Sequence, residues 1–76
     1  MGYYRYEVRG GEFVLRGDLY WQVTFNGVQI GGIYRHAQDA LAAVARRRDA
    51  EVPGPDLSGI EDPPHDLAAW TLPRAA

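Results

Sequence analysis

Ser58, His65 and Asp66 are the types that serve as a nucleophile, a general base and its orienting acid. A hydroxyl attacks only when its base is within hydrogen-bond reach and is itself oriented by a third group. Here the three residues lie in a Pro-rich stretch with no oxyanion motif, so the arrangement lacks the rigidity that catalysis needs. Thr24, Thr71 and His36 stand apart from any such pattern. A metal would need His36, His65 and carboxylates to converge from different elements, and no ligand spacing supports that. The chain has neither Cys nor Lys, which removes thiolate and amine chemistry. Gly10-Gly11 and Gly31-Gly32 lack the order of strand, glycine loop and helix that cradles phosphate. Arg16-Gly17-Asp18 spells an integrin-binding tripeptide but reads as a hairpin turn. The expectation is a non-catalytic protein that needs no cofactor and no metal.

Charge points instead to partners. The net charge of −2 conceals +3 over residues 1–48 and −5 over residues 49–76. A basic body suits polyanions, and an acidic tail suits cationic protein surfaces. The acids Asp49, Glu51, Asp56, Glu61, Asp62 and Asp66 either form a binding surface or fold onto the body and neutralise it. All basic residues are Arg, which suits planar, bidentate contacts.

The elements that position these groups follow from periodicity. Tyr4, Tyr6 and Val8 alternate with Arg5, Glu7 and Arg9, predicting a half-buried strand that ends at a Gly10-Gly11 turn. Glu12 to Arg16 predicts a second strand, and Gly17-Asp18 a second turn. Trp21, Val23 and Phe25 alternate with Gln22 and Thr24, and Asn26-Gly27 is a strong hairpin signal because a type I′ turn needs two positive φ angles. Val28, Ile30 and Tyr34 then share the face of Trp21, Val23 and Phe25. A regular register places Trp21 opposite Gly32, which leaves room for the indole; a bulge or a close ligand approach is the alternative reading of Gly31-Gly32. Residues 36–49 predict a helix capped by His36, with Asp39 in its first turn and Ala37, Ala40, Leu41 and Val44 as its buried stripe. Arg46, Arg47 and Arg48 complement the C-terminal end of the helix dipole, although three consecutive Arg do not serve one face.

Residues 51–76 are Pro-rich and acidic. Asp62 is expected to cap a short helix from Pro63 to Trp70, with Leu67 and Trp70 on its apolar side. Leu57, Ile60, Leu67, Trp70 and Leu72 make this segment too apolar for a purely disordered tail. The fold class is therefore α+β. A four-stranded antiparallel sheet over residues 3–34 carries one helix on a face, and a Pro-rich segment follows, all in one domain of residues 1–76. The longest apolar runs are a few residues, and the start lacks a secretory apolar core, so a cytoplasmic protein without membrane contact is expected.

The segment W-x-V-x-F-N-G-x-x-I-G-G-I-Y-R-H-A-Q-D-A-L-A-A-V resembles the AP2-like, arm-type DNA-binding modules of phage integrases, with Trp21, Gly32, Tyr34 and Ala40 at matching positions. That resemblance implies an outer sheet face in the major groove, offering Arg5, Arg9, Gln22, Thr24 and Gln29, with Arg46, Arg47 and Arg48 as further cations. In size, composition and architecture the chain also resembles small phage-encoded inhibitors of the anti-CRISPR type. That resemblance implies binding to a Cas effector complex and a block on target DNA. The acids would imitate DNA phosphates, or Tyr3, Tyr4, Tyr20 and Tyr34 would form an aromatic hot spot. A non-catalytic inhibitor acting by protein contact is the leading expectation. A DNA-binding arm module and a structural subunit of a larger assembly are the alternatives.

Overall fold

The computed structural model describes residues 2–70. The expectations placed on Thr71, on Leu72 and on the last six residues of the Pro-rich segment lie outside the described residues. Four strands, β1 (Gly2–Val8), β2 (Gly11–Gly17), β3 (Trp21–Phe25) and β4 (Val28–Tyr34), form an open antiparallel sheet in the order β1-β2-β3-β4. One helix, α1 (Ala37–Arg48), follows. The class is α+β, as the alternation and the Ala-rich period imply.

Successive side chains of a strand face opposite sides, so the pairing Tyr4↔Leu15↔Val23↔Ile30 lays one continuous apolar row across the sheet. Phe13 and Phe25, paired across β2 and β3, tilt against each other at a centroid distance of 4.8 Å. The helix packs Ala40, Leu41, Ala43 and Val44 onto this face. Ala43 joins the expected stripe, and Ala37 lies half-buried at its edge.

A helix is about 10 Å wide, and four strands span about 14 Å. The helix accordingly lies over β4, β3 and β2. The C-terminal segment covers the rest. Gly31 donates its N–H to the Pro53 carbonyl at 2.7 Å, Leu57 is buried, and Trp70 tilts against Tyr6 of β1 at 5.8 Å.

Several local expectations are corrected. The first turn is Arg9-Gly10, with Gly10 at φ +99, so Arg9 lies in the turn rather than on the strand. Trp21 pairs with Tyr34 and not with Gly32, because the register slips by two residues between Trp21 and Val23. Gly31, at φ +71, absorbs the slip, and the Tyr34 hydroxyl folds back to accept from Gly32 N–H at 3.3 Å. A slip of two preserves every side chain's face, so Tyr34 keeps its side while its partner changes. The glycines beneath the indole are Gly17 and Gly2, where an added Cβ would press on the Trp21 ring. Val28, beside the Asn26-Gly27 turn at the sheet's end, remains half exposed. The short helix is a 3-10 turn, Leu67–Ala69, capped by Asp66 rather than Asp62.

Candidate binding surface

The uncovered face of the sheet carries Tyr3, Arg5 and Glu7 from β1, Glu12, Val14 and Arg16 from β2, Gln22 and Thr24 from β3, and Gln29 from β4. At one end, Tyr3 pairs with Arg16 and Arg16 with Gln22. The slip at Gly31 draws Ile33, the neighbour of Tyr34, into this row. A turn at Asp18-Leu19-Tyr20, closed by the Asp18 N–H donating to the Tyr20 carbonyl at 3.1 Å, projects two more large side chains beside it. Leu19 is 83% exposed, Ile33 61%, Tyr20 52% and Tyr3 42%. All four border a hollow of about 430 Å³, whose lining also includes Gly17, Arg16 and Asp18.

The four tyrosines expected as an aromatic hot spot divide: Tyr3 and Tyr20 border this hollow, whereas Tyr4 and Tyr34 pack against the core, and Leu19 and Ile33 lie outside the expected set. Ile33 had a legible signal, since it is apolar at a position that alternation assigns to the polar face. Leu19 had a weaker one, an apolar residue in the middle of a turn.

The acids behave differently. The helix ends in a Schellman-type cap, with Glu51 N–H bonded to the Arg46 carbonyl at 2.8 Å, Ala50 N–H to the Arg47 carbonyl at 3.0 Å, and Ala50 at φ +59. This cap turns the chain back along the three Arg residues. Arg46 pairs with Glu51 at 3.2 Å. Arg47 donates to the carbonyls of Val52 and Pro55 at 3.1 and 2.9 Å. Arg48 donates to the Leu57 carbonyl at 2.9 Å, to the Ile60 carbonyl and to Asp62. The cluster therefore satisfies carbonyls of an irregular segment that has no ladder partner. Asp66 accepts from Ala68 N–H at 3.0 Å. Asp56 accepts from Ser58 N–H at 2.9 Å, and that hydrogen bond holds its carboxyl below the usual carboxylate range. Asp49 and Glu61 stand exposed.

The residues expected at DNA separate. Gln22, Thr24 and Gln29 share the uncovered face with Arg5, but Arg9 is at the hairpin tip and Arg46, Arg47 and Arg48 bind the tail. Arg5 itself donates through Nε to Glu12 at 2.9 Å and reaches Glu7 at 3.3 Å. The hydrogen bond and the charge of Glu12 raise its pKa further. Of Ser58, His65 and Asp66, which sequence reading sets aside as a catalytic arrangement, Ser58 and Asp66 take part in separate turns. Among the described residues no group of three His, Asp or Glu is placed to hold a metal, and no helix is long and apolar enough to cross a membrane. In comparisons with known proteins, the chain matches no family model, no curated protein and no solved structure.

Proposed function

We propose that the protein is a non-catalytic binding protein that docks a protein partner on the uncovered sheet face. One observation carries this reading: among the described residues, four of the five exposed large hydrophobic residues surround a single hollow there. Scattered apolar residues are ordinary on a surface, whereas a contiguous group with aromatic members is typical of a contact centre. Two tyrosines supply rigid contact area, and Arg16 and Asp18 supply a polar border.

This arrangement favours the aromatic mode of contact over phosphate mimicry by the acids, because Glu51, Asp56, Asp62 and Asp66 already serve the fold. DNA binding finds less support, since Glu7 and Glu12 sit among the proposed groove-facing residues and bind Arg5. In its narrower form, supported by size and architecture, the partner is a Cas effector complex whose access to target DNA is blocked. Target-duplex binding by such a complex, with and without the protein, tests that form.

The main test uses the doubly substituted L19S/I33S protein as bait beside the wild type. Its partner affinity falls at least tenfold, while its unfolding free energy stays within about 0.5 kcal/mol. Neutralising Asp56, Glu61 and Asp62 together leaves partner capture intact. Full retention by L19S/I33S overturns the reading, and so does loss of capture in the acid-neutralised protein if that variant remains folded.

A further inference from the structure

We infer that two copies of the chain pair through their β1 strands, antiparallel across a two-fold axis, to form one continuous eight-stranded sheet. The pairing surface is the edge of the sheet and not the hollow bordered by Leu19 and Ile33. An open sheet has two edges, and this chain treats them unequally. The β4 edge is closed by the Gly31 bulge, the Gly31 N–H bond to Pro53 and the close passage of Gly54 along Gln29 and Ile30. The β1 edge has seven residues with no proline, no lysine and no bulge. Among the described residues, no backbone hydrogen bond from another segment reaches it. Such an edge is a template for a further strand.

The hydrogen-bonding pattern selects how a second copy fits. Glu12 accepts through its carbonyl from Asn26 N–H, so its backbone faces β3. Alternation then turns Phe13 and Leu15 toward β1, and their partners Tyr6 and Tyr4 toward β2. The backbone groups of Tyr3, Arg5 and Glu7 are left pointing outward. Only registers that pair these outward residues with one another complete a ladder. Centring on Arg5 sets Arg5 against Arg5, and centring on Glu7 sets Glu7 against Glu7. Centring on Tyr4 gives no charge pair. Centring on Tyr6 sets Arg5 against the second copy's Glu7 and Glu7 against its Arg5. Two reciprocal ion pairs then lie on the uncovered face, with Tyr6 meeting Tyr6 on the other. Opposite charges across a strand pair stabilise it and like charges weaken it. A hollow of about 420 Å³ beside the strand, lined by Arg5, Tyr6, Glu7 and Ala69, leaves space for the incoming chain. The contact is isologous and closes on itself, as a two-fold dimer requires.

Sedimentation equilibrium of the full chain tests this directly. The wild type sediments as a dimer. Arg5→Glu and Glu7→Arg each place like charges in register and raise the dimer dissociation constant at least tenfold. Mixing these two variants restores a one-to-one heterodimer, because the carboxylates of the first variant then face the guanidinium groups of the second at both pairs. Arg5→Pro removes an outward N–H that no neighbour among the described residues uses and gives a folded monomer by circular dichroism. A monomeric wild type at every concentration overturns the proposal. A dimer unaffected by these substitutions, or charge variants that fail to pair on mixing, also overturns it.

Discussion

On the covered face of the sheet, Tyr4 stacks on Trp21 and Tyr6 tilts against Trp70. On the uncovered face, Tyr3 and Tyr20 stand beside Leu19 and Ile33 with about half of their surface in water. The residue types are alike, and what differs is the presence of a second layer. The helix and the C-terminal segment together cover one face. Their apolar side chains, from Leu41 to Trp70, turn that face into core. Nothing in the described residues performs this service for the other face, so its apolar group remains available for contact.

The strongest way to break the comparison is to remove the tail's anchor. Trp70→Ala, at a site only 5% exposed, is expected to cost about 3–5 kcal/mol in urea unfolding. An unchanged midpoint would mean that the tail is an appendage and that β1 has no covered face. Arg48→Met tests the polar half of the same attachment. It removes the guanidinium donor from the carbonyls of Leu57 and Ile60, of which the Leu57 carbonyl keeps a second donor, the Ile60 N–H, and is expected to cost about 1–3 kcal/mol. The uncovered face gives the opposite result, with L19S/I33S leaving stability nearly unchanged while binding falls.

The smallest effect concerns Asp56. Its folded-state pKa is lowered, so the ionised form stabilises the fold above the ordinary Asp range. That contribution fades as the pH falls through the folded value. Thermal melts of wild type and Asp56→Asn should therefore differ most above about pH 5 and converge in acid. A constant gap across that range would show that the carboxylate charge plays no part in the turn.

Much of this division is readable from local pattern. Alternation along Tyr4–Val8 and Trp21–Phe25 assigns faces without any long-range information, and Ile33 stands out against the same alternation. The slip at Gly31 is not readable, because moving the register by two residues leaves every face assignment intact. Pattern therefore gives the right side for Tyr34 and the wrong partner for Trp21. The Arg46–Arg48 cluster is similarly ambiguous. Its side chains are long enough to meet a phosphate, a carboxylate or a carbonyl, and nothing local says which lies within reach.

By itself the sequence determined four strands, the Asn26-Gly27 turn, the helix and the faces of the sheet, because periods of two and 3.6 residues are properties of the local backbone. Tertiary structure alone decided three further points: which glycines lie under Trp21, which carbonyls the three arginines hold, and that Leu19, Tyr20, Ile33 and Tyr3 come together. Each depends on residues distant in the chain reaching one place, and that is set by register and by the path of the tail. The same tertiary arrangement tied Glu51 and Asp62 of the acidic segment to the helix arginines and left the apolar group on the uncovered face in water.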